Sequence, residues 1–272
     1  MSELHCDICF HHCILKEGMT GRCRARINRN GQNGCANYGR ITSLALDPVE
    51  KKPLARFYPG SMILSVGSYG CNLSCPFCQN WQISAADERT AGYEELSAQQ
   101  LADLILRTKD SIGIAFTYNE PLIEWEYVLD TANLVKPAGK KVVLVSNGCA
   151  EQHVLEKLAP YVDAMNIDLK GDREFYRELG GSYDAVKQTI AYMHDKCHVE
   201  ITSLIIPGKN DSDEWVKNEA EWIASLDPGI PLHLTRYFPR WKYTEPATPR
   251  GTLYRLQKIA EQYLRYVYVG NV

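Results

Sequence analysis

Three cysteines stand close together directly after a short apolar run, and no other feature constrains the chain as strongly. Cys71, Cys75 and Cys78 follow residues 62–66 with the spacing C-x3-C-x2-C. Three thiolates this close can hold three irons of a four-iron–four-sulfur (4Fe-4S) cluster, whereas full ligation by protein takes four. The next cysteine is Cys149. The fourth iron would therefore stay open, as a position where a small molecule can bind and react.

Two other interpretations of these cysteines fit less well. Zinc hairpins typically use two C-x2-4-C pairs, and ferredoxins place a fourth cysteine soon after the third. Here Gln79, Asn80 and Trp81 follow the third cysteine instead. A catalytic cluster is the favoured interpretation. A structural zinc site and a chance grouping of thiols are the alternatives.

With the aromatic Phe77 before the third cysteine, the spacing resembles the signature of the radical S-adenosylmethionine (SAM) superfamily. The resemblance implies that the open iron chelates the amino and carboxylate groups of SAM. It also implies that an electron from the cluster cleaves the sulfonium to give a 5'-deoxyadenosyl radical. Cys71, Cys75 and Cys78 would then be the catalytic cluster ligands, with Phe77 beside the cofactor.

Composition places few limits on function. The 272 residues are 45% hydrophobic and 23% charged, with a net charge of −3. This balance gives no reason to expect nucleic acid or an anionic membrane as a partner. No apolar run reaches the roughly 18 residues of a membrane span, and no basic segment followed by an apolar core marks a signal peptide. Clustered cysteines in a reducing compartment are more often metal ligands than disulfides. We therefore expect a cytoplasmic protein.

The order of apolar runs and helical patterns predicts an α/β fold. β-Branched or apolar runs alternate with helical stretches from about residue 61, as in successive βα units with a parallel sheet. The predicted strands are 62–68, 113–118, 141–146, 164–169, 199–206 and 231–237. Six such units suggest a partial (β/α)6 TIM-like barrel with a Cys-rich N-terminal extension. We expect a metal-binding segment at 1–58, the barrel at 59–240, and a C-terminal helix and edge strand at 241–272.

Active sites of parallel barrels gather at the carboxyl ends of the strands. The second predicted strand ends in Thr117-Tyr118-Asn119-Glu120-Pro121. Its last two residues match the Gly-Gly-Glu-Pro motif of the superfamily, in which the glutamate binds the SAM ammonium. The resemblance thus implies SAM contacts at Glu120 and Asn119, although Tyr118 and Asn119 replace both glycines.

The third and fourth predicted strands also end in polar residues. Ser146 and Asn147 are candidate contacts to the SAM ribose or carboxylate by resemblance to glycyl-radical activating enzymes. On the fourth strand, alternation places Asn166, Asp168 and Lys170 on one face. Polar side chains on a barrel strand need partners, because a buried unpaired charge is costly. The Asp-x-Lys pair resembles one that contacts SAM in the same activating enzymes, so we expect Asp168 and Lys170 to bind cofactor or substrate.

A second cysteine group lies near the N-terminus. Cys6, Cys9, Cys13 and Cys23 supply four thiols in a glycine-rich segment with little apolar content. Four soft ligands suit a tetrahedral zinc site or a second cluster, and the metal would contribute folding energy. A structural metal, an electron-relay cluster and free thiols are the three possibilities.

Taken together, the motifs resemble the pyruvate formate-lyase activating enzyme-like branch, and most closely its AmmeMemoRadiSam group. The additional marks are residues 47–54, 78–81, 117–121 and 268–272. The resemblance implies an electron donor such as flavodoxin or ferredoxin, and possible Memo-like and AMMECR1-like partner proteins. We expect hydrogen abstraction from an unidentified small molecule or protein. The alternatives are a glycyl-radical enzyme activase and a non-catalytic redox or metal-sensing protein.

Overall fold

The computed structural model describes residues 3–272, in which helices pack around one large β-sheet. The strands are β1 (Leu4–His5), β2 (Ile14–Leu15), β3 (Arg26–Arg29), β4 (Gln32–Cys35), β5 (Arg40–Ile41), β6 (Ser43–Pro48), β7 (Met62–Gly67), β8 (Glu94–Glu95), β9 (Ser111–Phe116), β10 (Lys141–Ser146), β11 (Ala164–Asp168), β12 (His198–Ile205), β13 (Leu232–Arg236) and β14 (Val267–Gly270). The helices are α1 (Trp81–Ser84), α2 (Ala98–Arg107), α3 (Trp125–Val135), α4 (Gln152–Leu158), α5 (Arg173–Glu178), α6 (Tyr183–His194), α7 (Asp213–Leu226) and α8 (Arg250–Ala260).

The large sheet has eight strands in the order β14-β13-β12-β11-β10-β9-β7-β6. The seven strands from β14 to β7 are parallel to their neighbours, and β6 alone pairs antiparallel, with β7. The predicted α/β fold with a partial TIM-like barrel is confirmed. The expected C-terminal edge strand is present as β14, parallel to β13. Strand β6 and helices α1 and α5 were not predicted.

The longer helices each bury one mainly apolar side. Helix α2 buries Ala98, Leu101, Ala102 and Ile105, a spacing that places all four on one side of the helix. The Ser97 hydroxyl accepts a hydrogen bond from the Gln100 N–H, and the Gln100 side chain accepts one from the Ser97 N–H, so the two residues form a full capping box.

The glycine-rich N-terminal segment forms short β-strands. It contains the hairpins β1–β2 and β3–β4, and β5 pairs with β8. Residues 49–57 then enter the barrel, where Val49, Leu54 and Phe57 pack against Ile63 and Val143. This stretch forms the floor on which the site rests. No helix among residues 3–272 has the length and apolar character needed to cross a bilayer.

Candidate functional site

One cavity of about 590 Å³ lies at the carboxyl ends of the parallel strands. All ten residues predicted for the cluster and SAM line it: Cys71, Cys75, Phe77, Cys78, Asn119, Glu120, Ser146, Asn147, Asp168 and Lys170. They come from four strand ends that lie far apart in the sequence. Parallel strands bring such ends to one edge of the sheet, so the fold assembles the set.

The three cysteines lie on a loop after β7, residues 68–80, which we call the cysteine loop. Backbone hydrogen bonds hold this loop at several points. The Ser74 N–H donates to the Leu179 carbonyl at 2.8 Å, and the Cys78 N–H donates to the Cys75 carbonyl at 3.2 Å. Gly70 enters the loop with φ +87°, and a Cβ there would lie 2.4 Å from the Cys23 carbonyl oxygen. Only glycine fits this close approach between the loop and the N-terminal segment.

Phe77 anchors the loop in an apolar cluster. It is buried and stacks on Phe175 at 6.0 Å between ring centroids, with Tyr243 edge-on at 6.1 Å. Leu179, Ile206 and Tyr237 complete the cluster. Its aromatic side chain therefore fixes the position of the neighbouring Cys78 while also lining the cavity.

Polar groups approach the sulfur atoms of the loop. Cys71 Sγ accepts from the Leu73 N–H at 3.4 Å and from Asn147 Nδ2 at 3.6 Å, and Ser84 Oγ lies 3.2 Å from Cys78 Sγ. Hydrogen bonds to sulfur tune cysteine-ligated clusters. Burial and the Glu120 carboxylate raise the pKa of Cys71 well above its usual value. Burial raises the pKa of Cys75 to about 11, and Lys170 acts in the opposite direction.

Glu120 connects the second and third strand ends. Its carboxylate accepts from Ser146 Oγ at 2.7 Å, from the Asn147 N–H at 2.7 Å and from the Leu122 N–H at 3.0 Å. Burial raises the pKa of Glu120 to about 7, although these three hydrogen bonds act to lower it. The side chain is 1% exposed. Glu120 thus orders the turn at Ser146 and Asn147 in addition to lining the cavity.

The two residues that replace the motif's glycines have defined roles. Tyr118 has φ +74°, the left-handed backbone conformation that glycine favours. Its hydroxyl donates to Asp47 Oδ2 at 2.9 Å, and Lys52 Nζ lies 4.8 Å from the centre of its ring. Asn119 accepts from the Ser68 N–H at 3.0 Å. Tyr118 therefore adopts a conformation that glycine favours, and these side-chain contacts hold it and Asn119 in place.

Asn147 lies directly against the cysteine loop. Its Nδ2 donates to Asn72 Oδ1 at 2.8 Å as well as approaching Cys71 Sγ. The Asn72 side chain in turn donates to the Cys149 carbonyl at 2.8 Å. Asn147 therefore holds Asn72 of the cysteine loop in place and approaches the sulfur of Cys71.

Asp168 and Lys170 form an ion pair in the wall of the cavity. Lys170 Nζ lies 2.7 Å from Asp168 Oδ2. The pKa of Lys170 lies above its usual value, because Asp168 and the thiols of Cys75 and Cys71 outweigh the lowering effect of burial. Asn166, on the same strand face, instead donates to the Pro53 carbonyl at 2.9 Å and accepts from Thr202. It holds the floor segment, and Asp168 and Lys170 face the cavity.

The buried carboxylate of Glu200, which the sequence did not identify as a site residue, holds the floor segment 49–57 in place. Glu200 accepts from His233 Nε2 at 2.6 Å, from His198 Nε2 at 2.8 Å, and from the N–H groups of Ala55 and Arg56. Burial opposes ionisation of Glu200, but these four partners lower its pKa to about 2. His233 also lines the cavity and stacks on Tyr268.

Other cavity residues come from two motifs that the sequence marked without a role. Glu50, Lys51 and Pro53 belong to the segment 47–54, and Gly270 and Asn271 belong to the segment 268–272. Thr202 and Thr235 add hydroxyl groups to the wall. The two motifs in the sequence could have indicated these cavity residues. Only the folded barrel shows that both motifs line the same cavity.

The N-terminal cysteines pack against the cysteine loop. The Cys23 sulfur accepts from the Arg26 N–H at 3.3 Å, and Asn33 Nδ2 lies 3.5 Å from Cys6 Sγ. Cys6, Cys9 and Cys23 are buried, while Cys13 is partly exposed. His11 Nε2 lies 2.8 Å from the carbonyl oxygen of Asn72. Among residues 3–272, no three Cys, His, Asp or Glu side chains converge on a point where one metal ion could sit.

The donor set fits a cluster held by three cysteines and a chelated amino acid. Three thiols from one loop face the cavity, with hydrogen-bond donors on two of the sulfurs. The wall of the same cavity carries a lysine cation and carboxylates. These charges complement the carboxylate and ammonium groups of a bound amino acid.

Comparison with known proteins identifies the family to which the chain belongs. The family model of the radical SAM superfamily matches residues 65–223. The uncharacterized protein MJ0808 of Methanocaldococcus jannaschii is 37% identical over 100% of this chain and 82% of its own length. The pyruvate formate-lyase-activating enzyme of Clostridium pasteurianum is 26% identical over 58% of this chain and 67% of its own.

A solved structure supports the fold. Streptococcus suis SuiB bound to S-adenosylmethionine superposes with a TM-score of 0.59 and 16% identity, over 77% of this chain and 52% of that one. At this identity the similarity concerns the arrangement of strands and helices only.

Proposed function

This chain belongs to the radical SAM superfamily, and from that premise we propose that it reductively cleaves SAM and abstracts a hydrogen atom from a further substrate. Membership implies an enzyme with a 4Fe-4S cluster and SAM as cofactors. The observation that carries the proposal is the single cavity shared by three thiols, Glu120 and the Asp168–Lys170 pair.

Cys71, Cys75 and Cys78 would hold the cluster. When bound, the cluster would supply the electron that cleaves the SAM sulfonium to methionine and a 5'-deoxyadenosyl radical. The chain's own part is to place the reactants: Phe77 fixes the loop, while Glu120 and Asn147 fix the strand ends around it. Preorganised polar groups avoid the cost of rearrangement during the reaction.

The remaining polar residues would hold SAM. Lys170 and Asp168 carry the opposite charges that the SAM carboxylate and ammonium require, and the pair is partly buried, where such contacts are strong. Asn119, Glu120, Ser146 and Asn147 lie at the neighbouring strand ends. The far wall, with Thr202, His233, Thr235 and Asn271, would be left to the substrate. Its hydroxyl, imidazole and amide groups favour a polar substrate.

The test is anaerobic reconstitution with iron and sulfide, followed by dithionite and SAM. We expect 5'-deoxyadenosine from the wild-type protein and none from Cys75→Ala. Cys197→Ala is the matched control, because Cys197 lies outside the cavity and should retain the product. A reconstituted cluster without 5'-deoxyadenosine would contradict the proposal and favour the non-catalytic redox or metal-sensing protein.

A glycyl-radical activase is the second candidate. It is favoured by the similarity to a pyruvate formate-lyase-activating enzyme over 58% of this chain. In that case the hydrogen would come from a glycine of a partner protein. Deuterium transfer into 5'-deoxyadenosine separates the two candidates, because only an activase would take deuterium from a protein labelled at glycine Cα.

We further propose that Cys6, Cys9, Cys13 and Cys23 hold a structural zinc ion or a second iron–sulfur cluster, whose binding would draw together side chains that do not converge on one point in the described residues. Two of these sulfurs receive N–H donors, as sulfur ligands of metals often do. The ten free cysteines fit a reducing, cytoplasmic location. Membership of the AmmeMemoRadiSam group, with Memo-like and AMMECR1-like partners, remains part of this proposal and rests on the sequence motifs.

A further inference from the structure

The N-terminal hairpin β1–β2 contacts the cysteine loop at Asn72, the residue that directly follows Cys71. His11, in the turn of that hairpin, places its Nε2 2.8 Å from the carbonyl oxygen of Asn72. A carbonyl oxygen only accepts hydrogen bonds, so Nε2 carries the hydrogen and donates it. Asn72 is buried and His11 is half-buried. A partly exposed residue of the hairpin therefore holds the backbone beside a proposed cluster ligand.

The side chain of Asn72 continues this contact toward the proposed SAM residues. Its Oδ1 accepts from Asn147 Nδ2 at 2.8 Å, and its Nδ2 donates to the Cys149 carbonyl at 2.8 Å. Both partners belong to the turn after β10. The Asn147 N–H in turn donates to the Glu120 carboxylate at 2.7 Å. An unbroken series of hydrogen bonds therefore joins His11 in the hairpin to Glu120 in the cavity wall.

These contacts fix Asn72 from two sides. Its amide oxygen faces a donor and its amide nitrogen faces a carbonyl, so a rotated amide would set like groups against each other. The hairpin that supplies His11 is itself anchored, because the Glu151 N–H donates to the Ile8 carbonyl at 3.0 Å. Packed protein interiors pass small displacements on to their neighbours. A shift of the hairpin at His11 therefore moves the cysteine loop at Asn72.

We propose that His11 and Asn72 are positioning residues, through which the N-terminal hairpin sets the geometry and the affinity of the SAM site. The inference rests on the proposed function, because it concerns how the cavity binds SAM. Cys71 Sγ and Asn147 Nδ2 lie 3.6 Å apart, and Asn72 holds both residues, the first through the chain and the second through a hydrogen bond. Without the His11 contact the loop is freer, so SAM binding must order it at a cost in affinity.

The first test measures the Kd of SAM for the reconstituted holoenzyme and needs no turnover. We expect His11→Ala to raise this Kd by about fivefold, as the loss of one hydrogen bond does. His11→Gln, whose amide can donate to the same carbonyl, should restore most of the affinity. Asn72→Ala should raise the Kd at least as much, because it also removes the contact to Asn147. His153→Ala is the matched control and should leave the Kd unchanged, because His153 lies 3.7 Å from Asp7 of the same hairpin but does not line the cavity.

The second test separates positioning from a merely structural role. Without SAM, wild type and His11→Ala should have the same iron content and the same EPR spectrum of the reduced cluster. At saturating SAM the spectrum of His11→Ala should differ from wild type, and that of His11→Gln should match it.

Four results would overturn the proposal: an unchanged Kd in His11→Ala, no rescue by His11→Gln, identical spectra with SAM, or a loss of iron that parallels the loss of affinity. The last result would mean that these residues retain the cluster instead of positioning SAM. Wild-type protein that binds SAM without yielding 5'-deoxyadenosine would instead contradict the proposed function and leave the comparison of Kd values intact.

Discussion

The hydroxyl of Tyr118 donates a hydrogen bond of 2.9 Å to Asp47 Oδ2, which ties the end of β9 to the strand that precedes the barrel floor. Lys52 Nζ lies 2.9 Å from the same carboxylate oxygen. The pKa of Asp47 is lowered to about 2, because Lys52 and Tyr118 outweigh the effect of burial. This contact lets a non-glycine residue keep the left-handed conformation at the start of the Tyr-Asn-Glu-Pro turn.

Removing that hydroxyl should weaken the fold measurably. We expect Tyr118→Phe to lower the free energy of unfolding by about 1.5 kcal/mol, the lower end of the usual range for a hydrogen bond to a charged group. Urea denaturation measures it. Tyr254→Phe is the control, because Tyr254 is exposed on α8. Equal stability of the two variants would show that the Tyr118–Asp47 contact contributes nothing.

From the lowered pKa of Glu200 we predict that the stability of the fold depends on pH. Its pKa falls from 4.5 to about 2 on folding, so its stabilising effect is complete above pH 4.5 and is lost as the pH falls toward 2. The loss amounts to about 3 kcal/mol, at about 1.4 kcal/mol for each pKa unit. Glu200→Gln should be less stable than wild type at pH 7 and should lose less stability between pH 4.5 and pH 3.

Urea denaturation at several pH values checks this prediction. Glu214→Gln is the control, because Glu214 lies in the first turn of α7 and is exposed. Parallel stability curves for wild type and Glu200→Gln across the acid range would contradict the assignment of a strongly lowered pKa to Glu200.

The two cysteine groups should respond differently to substitution. We expect Cys75→Ala to abolish 5'-deoxyadenosine formation and reduce bound iron. Cys13→Ala should retain part of the activity if the N-terminal metal is structural, and should lower the melting temperature instead. Metal analysis, 5'-deoxyadenosine assays and thermal unfolding make the comparison. Equal loss of activity in both variants would show that the N-terminal site carries electrons.

Lys170 should matter for SAM more than for the cluster. Lys170→Met removes the cation from the ion pair with Asp168, so we expect SAM binding to weaken by about tenfold or more, as loss of one charged contact typically does. The iron content should stay unchanged. Equilibrium binding of SAM to the reconstituted protein measures this, with Lys258→Met on the exposed side of α8 as the control. Wild-type SAM affinity in Lys170→Met would exclude a SAM contact at this residue.

Local patterns in the sequence were enough to predict the six parallel strands β7 and β9 to β13 and the presence of helical stretches between them. Apolar periodicity reports burial directly, because a strand or helix that packs on a core must present one apolar side to it. Strand β6 escaped prediction because it pairs antiparallel at the edge of the sheet, and its apolar residues Leu44 and Leu46 lie on the exposed side instead of in the core. Helix α5 spans Arg173–Glu178, too short for a periodic signal.

The sequence by itself determined the three-thiol loop, the βα order and the polar residues at the strand ends, because each depends on residues close together in the chain. Only the tertiary structure decided that Glu120 orders Ser146 and Asn147 and that Asn166 holds the floor. These relations join residues that lie 26 to 113 positions apart in the chain. They form only when the strands close the sheet and bring their carboxyl ends together.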